Sequence, residues 1–298
     1  MIRRFSERWI AFFAVAACLM FAGHSAAEQK YSAKGLVLKV DRPHKTVVVS
    51  CETIPGFMDA MVMPLDIRNV KELNELQPGT TIAFTLVTDK NSSYASAIRV
   101  IRYQGSQPDP ETARRLNLMN SIVNPDAGTA KTLAPGDNVP DFSLIDQEVN
   151  RVTLSQFKGK VVALNFVYTR CVLPNYCLRI SNNFGALQKR FQNELGKDLV
   201  LLTVTFDPVH DRPDVLAKYS ATWKADPRTW HFLTGETPDV KRVCSMFGVQ
   251  AFQDEGLMNH SLHTAIIDRT GKLVANIEGN EYTARQLGDM VNAVLSRN

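Results

Sequence analysis

The sequence predicts an α/β domain on the C-terminal side and a small all-β domain before it. Three patterns lead there. Between residues 31 and 103, short apolar runs alternate with turn signals at close intervals, which suits a compact barrel. From Val139 onward, apolar strands alternate with amphipathic helical stretches, which implies a parallel or mixed sheet. Residues 104–134, between the two, are rich in Pro, Gly, Ser and Asp and read as a linker, with one short helix near Thr112 to Ile122. The α/β domain then runs over 135–298, and the 298 residues suffice for two ordinary domains behind a leader.

The leader is residues 1–27. Arg3, Arg4 and Arg8 precede an apolar run from Trp9 to Gly23, and Ser25 and Ala27 place small side chains where a signal peptidase reads them. The run has 15 residues, short of the roughly 20 that span a bilayer, so a cleaved signal peptide is the first reading. An uncleaved membrane anchor is the second. Lipidation at Cys18, in Val15-Ala-Ala-Cys18, is the third. Each exports the remainder, to the periplasm or to the outer face of the inner membrane. Without residues 1–27 the formal charge falls from +4 to +2, which leaves no electrostatic case for a nucleic-acid partner. The remaining cysteines, Cys51, Cys171, Cys177 and Cys244, are spaced as one pair and two singles, not as a disulfide framework.

In the first domain, Gly35-Leu-Val-Leu-Lys-Val40 and Thr46-Val-Val-Val-Ser50 flank a turn at Asp41-Arg-Pro-His-Lys45. Thr81 to Val87 and Ala95 to Ile101 are further strands, punctuated by Pro78-Gly79 and Asn91-Ser-Ser93. With a strand carrying Met61 and Met63 they make a five-stranded, OB-like barrel.

In the second domain, Lys160 to Tyr168 is a near-continuous apolar strand, expected at the centre of a sheet. Ile180, Phe184, Leu187, Phe191 and Leu195 then follow helical spacing up to Gly196. Leu199 to Phe206 is a second buried strand. Asp211 is expected to cap a helix that starts at Arg212-Pro-Asp214, and Thr237-Pro238 opens another that ends at Phe247-Gly248. His263 to Asp268 and Lys272 to Ile277 form a hairpin about Arg269-Thr-Gly271. A last helix, Thr283 to Ser296, buries Leu287, Met290, Val291 and Val294.

The chemistry concentrates at Cys171, Cys177 and His260. The two thiols stand where the apolar strand gives way to a helix, the junction at which thioredoxin-like folds keep reactive cysteines. A helix N-terminus favours thiolate, and thiolate is both a nucleophile and a ligand for soft metals. Five residues separate the pair, so Cys171 must lie in the loop, with Pro174 helping to bend Cys177 back towards it. Such a pair can chelate, and it can also close a wide disulfide ring. No proline lies between Glu255 and Asp268, where thioredoxin-type oxidoreductases set a cis-proline, and two thiolates with one imidazole form a soft set suited to copper. The plainer alternative is an ordinary disulfide beside a surface histidine. His263 is read as a non-ligand, Cys244 as a buried inert thiol, and Asp207 as part of a turn near the site.

As an ordered set, Asp141-Phe-Ser-Leu-Ile-Asp-Gln147, Phe157-Lys-Gly-Lys160, Asn165-Phe-Val-Tyr-Thr-Arg-Cys171, Thr205-Phe-Asp-Pro-Val-His-Asp211 and Asn259-His-Ser261 resemble the SCO/SenC family. The resemblance runs from about Leu133 to the C-terminus. It implies a thioredoxin-like fold and a membrane-associated copper chaperone that helps to build the dinuclear copper site of cytochrome c oxidase, in some members as a thiol reductant. The family's two cysteine ligands fall on Cys171 and Cys177 and its histidine on His260. The loop departs from the pattern: the family usually has three residues between the cysteines and a proline after each, whereas here five intervene and Val172 and Leu178 replace the prolines.

Cys51-Glu-Thr-Ile-Pro-Gly-Phe-Met58-Asp-Ala-Met61-Val-Met63-Pro64 is the second informative segment. Met61 and Met63 alternate on a strand and so leave by one face. Methionine pairs often fill cores, but thioethers are also soft ligands for Cu(I). The segment resembles the CusF-like copper-binding domain, a small barrel that holds Cu(I) or Ag(I) with one histidine and two methionines. That resemblance puts Met61 and Met63 at the methionine positions, Cys51 where the histidine is expected, and Met58 near an aromatic residue that covers the metal in some members.

The expectation is therefore an exported, two-domain copper chaperone serving the copper-bearing subunit of cytochrome c oxidase or another copper protein. Periplasmic thiol reductants would keep its cysteines reduced, and the linker would let the two sites meet. Two alternatives stay open: a thiol-disulfide oxidoreductase acting on partner cysteines through Cys171 and Cys177, and a metal-sequestering module for copper tolerance.

Overall fold

The computed structural model describes residues 28–88, 92–101, 132–254 and 257–297. The leader and the short helix expected near Thr112 lie outside them. Gln29–Asp41 (β1), Thr46–Cys51 (β2), Val62–Ile67 (β3), Thr81–Thr88 (β4) and Ser93–Val100 (β5) close into a barrel in the order β1-β2-β3-β5-β4. The five strands are those the sequence marks.

A short hairpin of Ser143–Ile145 (β6) and Arg151–Thr153 (β7) opens the second region. Its five-stranded sheet then uses Val161–Val167 (β8), Leu199–Thr205 (β9), Trp230–Leu233 (β10), His263–Ile267 (β13) and Leu273–Glu278 (β14), in the order β10-β9-β8-β13-β14. β8, β9 and β10 are parallel, and β13 runs antiparallel to both β8 and β14. Every residue of β8 and β9 is buried, as expected of central strands covered on both faces. Arg179–Arg190 (α1), Pro213–Thr222 (α2) and Ala284–Leu295 (α4) cover one face through Phe184, Leu187, Leu216, Leu287 and Met290. Thr237–Met246 (α3) and the β6–β7 hairpin cover the other through Val240, Val243, Leu144 and Val152. This mixed sheet sandwiched by helices is the thioredoxin-like arrangement.

Three local readings change. α1 ends at Arg190, and the chain reaches Gly196 (φ +80°) through turns, not through a longer helix. Arg212, not Asp211, is the N-cap of α2, with Pro213 at the first helical position. A further hairpin, Ala251–Asp254 (β11) with Leu257–His260 (β12), precedes β13 and delivers His260.

The barrel does not hang from the α/β unit; it packs on it. Leu36 and Leu38 of β1 turn away from the barrel interior into the cluster formed by Ala275 and Ile277 of β14 and Met290 and Val294 of α4. Val37, between them, faces the barrel core. β1 is thus buried on both faces, the physical reason for its unbroken Leu-Val-Leu run. Leu38→Ala should lower stability by about 2–5 kcal/mol through lost transfer and a cavity at this joint. Leu36→Ala with Leu38→Ala should also split one unfolding transition into two, read by urea denaturation followed by far-ultraviolet circular dichroism, with tryptophan fluorescence tracking only the α/β domain, which holds Trp223 and Trp230.

Candidate metal centre

β8 leaves the sheet into Tyr168-Thr-Arg-Cys171, and a buried carboxylate holds this exit. Asp211 accepts hydrogen bonds from Thr169 N (3.0 Å), Thr169 Oγ1 (2.5 Å) and Thr205 Oγ1 (2.5 Å). It is fully buried, and desolvation raises its pKa despite those bonds. One residue further, Arg170 Nη2 donates to Asp207 Oδ2 at 2.7 Å, and His210 Nδ1 lies 2.9 Å from Asp207 Oδ1. The Thr205–Asp211 motif therefore fastens the approach to Cys171 and does not cap a helix.

After Cys171, Pro174–Leu178 forms a wide helical turn that is kinked at Tyr176 (φ −110°, ψ −118°) and runs into α1. Here the wide turn takes up the additional residues between the cysteines and returns Cys177 to the cluster. Asn280 Nδ2 donates to the Asn175 carbonyl, and Arg179 Nη2 to the Tyr282 carbonyl (3.4 Å), so the loop is tied to the approach of α4.

His260 arrives from β12, paired with Ala251. Its Nδ1 lies 3.1 Å from the Ser261 carbonyl and its Nε2 3.7 Å from Cys177 Sγ. A carbonyl only accepts, so Nδ1 is the donor in that bond, and Nε2 is the ring nitrogen that faces the thiols. The rings of Phe206 (4.7 Å), Tyr168 (5.6 Å) and Tyr176 (6.0 Å) surround it. The donor atoms of Cys171, Cys177 and His260 all lie within 4.8 Å of one another. The three residues that the sequence singles out converge.

All four described cysteines are free thiols. The Cys171 pKa is drawn down to about 4, chiefly by the hydrogen bond from Cys177, with His260 adding to it against the opposing effect of burial. Burial, and then the Cys171 thiolate, push Cys177 up. The two thiols are coupled, with the lowered pKa at Cys171 and the raised one at the deeper Cys177. His263 stands apart: it is buried, with Nδ1 3.2 Å from Asn276 Oδ1. Cys244 is buried in α3, and desolvation pushes its thiol up to about 12.

In the barrel, the β2–β3 ladder sets Val49 opposite Met63, and Cys51 N donates to the Met61 carbonyl at 2.8 Å. Opposed residues share a face, so Met63 lies on the side of buried Val49, as does Cys51 two residues on. Met61 does not alternate with Met63 on one strand as expected; it lies just before β3, tied to Cys51 through its carbonyl. Cys51 is fully buried, with Sγ 3.8 Å from the Val49 carbonyl, and burial raises its thiol to about 12. Met61 is 49 % exposed at the rim, and Met58 and Met63 are half-buried against the barrel core. Across the ladder from Cys51 stands Gly35, where a Cβ would overlap Val49 Cγ1 and come within 2.8 Å of the Ser50 carbonyl.

Sequence reasoning placed Asp211 near the site as a helix cap but missed its Thr169 and Thr205 donors and the Ser261 carbonyl, and did not foresee the aromatic wall of Tyr168, Tyr176 and Phe206. The Thr205–Asp211 motif carried the signal for the first set: its two carboxylates lie four apart, directly after a buried strand.

Residues 130–296, more than half of the chain, match the family model described as SCO1/SenC. The chain belongs to the SCO1/SenC family. Residues 30–99 match the model described as copper binding periplasmic protein CusF. Among relatives, protein sco1 of Schizosaccharomyces pombe is 29% identical over 160 residues, covering 51% of this chain and 59% of that protein. The SCO1 protein homolog of Bacillus subtilis is 25% identical over 149 residues, covering 49% of this chain and 76% of that protein. Among solved structures, Arabidopsis thaliana ScoI with copper bound is 25% identical, with a TM-score of 0.47 over 55% of this chain and 100% of that one. Yeast Sco1 with copper bound is 26% identical, with a TM-score of 0.45 over 56% of this chain and 91% of that one.

Two outcomes follow from the groups around the centre. Asp211→Ala leaves the Thr169 and Thr205 donors buried without an acceptor, at about 1–3 kcal/mol for each group left unsatisfied; chemical denaturation should register the loss. Burial lowers the His263 pKa from 6.5 to about 4. Between those values the unfolded chain binds the extra proton, so stability falls as pH drops from 6.5 towards 4. His263→Gln should flatten that slope in urea titrations across the same window.

Proposed function

We propose that Cys171, Cys177 and His260 bind copper, and that this SCO1/SenC protein carries copper to the dinuclear site of cytochrome c oxidase or prepares that site for it. The observation that supports the reading is the convergence of two sulfurs and an imidazole nitrogen within 4.8 Å. Thiolate and imidazole donors suit copper in both common oxidation states. The donors sit at the end of a sheet, in an apolar wall, with one thiol already favouring the ionised form. The aromatic wall excludes water, and the Ser261 carbonyl orients the imidazole.

The barrel is the second part of the proposal. Met61 and Met63, with Cys51 and Met58, form a thioether-rich Cu(I) site within the region that matches the CusF model. The protein works outside the cytoplasm, in the periplasm or held at the outer face of the inner membrane, and thiol reductants there keep the pair reduced. No helix among the described residues is long and apolar enough to cross a membrane.

A second reading is favoured by the lowered pKa of Cys171 beside the raised pKa of Cys177. In it, the Cys171 thiolate attacks a partner disulfide and releases one partner thiolate. Cys177 then gives up its proton and displaces the other, leaving a Cys171–Cys177 disulfide and a reduced partner.

Copper titration of the reduced full chain separates the readings, in a Met61→Leu, Met63→Leu background that silences the barrel. His260→Ala should weaken Cu(II) binding at least about tenfold, in line with loss of a nitrogen donor. Unchanged Cu(I) and Cu(II) affinity would overturn the three-donor site. Full-rate reduction of a protein disulfide by the same variant would favour the oxidoreductase.

A further inference from the structure

The candidate site of the barrel is braced from the other domain. β2 ends at Ser50 and Cys51, and three side chains near the start of α4 bond to these two residues. Arg285 Nη2 donates to the Cys51 carbonyl. Gln286 Nε2 donates to the Ser50 carbonyl at 3.0 Å, and Ser50 Oγ donates to Asp289 Oδ2 at 2.8 Å. These partners lie more than 230 residues apart in sequence.

The brace is itself held rigid. Thr283 and Gln286 form a reciprocal capping box, so the side chain that reaches Ser50 also closes the first turn of α4. Asp289 Oδ2 accepts from Arg285 Nη1 at 2.8 Å, and its Oδ1 from Arg190 Nη2 of α1 at 2.8 Å. Ser50, Gln286 and Asp289 are buried, so these bonds form out of water.

The orientation of the Ser50–Cys51 peptide sets where Cys51 Sγ lies relative to Met61, whose carbonyl takes the Cys51 N–H. Two carbonyls in a row, those of Ser50 and Cys51, receive side-chain donors from α4. The Arg285 guanidinium also lays a positive charge beside the donor that must be anionic when it holds metal.

We propose that Arg285 and Gln286 are positioning residues for the Cu(I) site of the barrel, so that this site is complete only when the two domains are docked. The inference rests on the reading that the barrel binds Cu(I), and it adds that the α/β domain supplies the shell behind the donors. Neither residue touches the metal; both act through the backbone of Ser50 and Cys51.

The test uses the full chain with Cys171→Ser and Cys177→Ser, which leaves the barrel as the thiolate-bearing copper site. Cu(I) affinity is read by competition with a chromophoric Cu(I) chelator, and the sulfur-to-copper charge-transfer band reports the donor set. Arg285→Met, alone and with Gln286→Leu, should weaken Cu(I) about 10–100-fold, the usual effect of removing a partner behind a metal ligand, and should shift the band. Arg285→Lys, which keeps the charge and one donor, should recover part of the loss. Arg269→Met removes the guanidinium that bonds the Gly159 carbonyl and Asp198, with no contact to Ser50, Cys51 or the residues that hold them. It should lower the melting temperature while leaving Cu(I) affinity in place. Affinity within twofold of the background in Arg285→Met with Gln286→Leu overturns the inference alone. So does an equal loss in Arg269→Met, because the brace would then act through stability only. A background chain whose Cu(I) binding is absent, or is indifferent to Met61→Leu with Met63→Leu, overturns the copper reading of the barrel and this inference with it.

Discussion

The antiparallel pairing of β13 with β8 governs where every donor of the Cys171–Cys177–His260 cluster can stand. Asn165 lies opposite Thr264. Cys171 follows Asn165 by one short exit from the strand, and His260 precedes Thr264 by a similar length. Both segments therefore leave the same end of the sheet, and the histidine needs no special loop to reach the thiols. Parallel neighbours could not do this, because their equivalent ends would require a crossover between them. The buried Asp211 then fixes the exit from β8, and the Ser261 carbonyl fixes the imidazole. Position comes from the sheet, and orientation from a few buried hydrogen bonds.

Burial divides the two thiols by role. Cys171 is drawn down to about 4 because a neighbour donates to it, while Cys177, deeper, is the one that donates. A metal that takes both sulfurs must take them as thiolates, so capture is coupled to proton release. An incoming disulfide meets the same arrangement as one nucleophile and one resolving thiol. Copper handling and thiol exchange thus draw on a single physical asymmetry, which is why spacing alone could not separate them.

Much of this was legible in the sequence. The unbroken apolar run of β8 marked a central strand, helical spacing marked Ile180, Phe184 and Leu187 as core, and Cys171, Cys177 and His260 do converge. The illegible parts share a cause: each depends on a partner far away in the chain. Asp211 sits beside a proline-opened helix, so local rules make it a cap; only the fold reveals the Thr169 and Thr205 donors that draw it inward. The early end of α1 and the hairpin that carries His260 are likewise set by tertiary packing, not by propensity. The Leu-Val-Leu run of β1 announced burial on two sides, but not that the second side belongs to another domain.

That second side alters what the linker can do. A flexible tether would let two copper sites meet by diffusion, at an effective concentration set by its length. Here Leu36 and Leu38 are buried in the same cluster as β14 and α4, and the end of β2 is bonded to the first turns of α4. Swinging the barrel free would expose two leucines, at about 1.5–3 kcal/mol each, and would leave the Ser50 and Cys51 carbonyls to find new donors. The approach of α4 meanwhile holds the cysteine loop through Asn280 and Tyr282. One short segment, Asn280 to Asp289, thus touches the backbone beside both candidate sites. The separation of the two sites is set by packing against this segment, not by the reach of a tether.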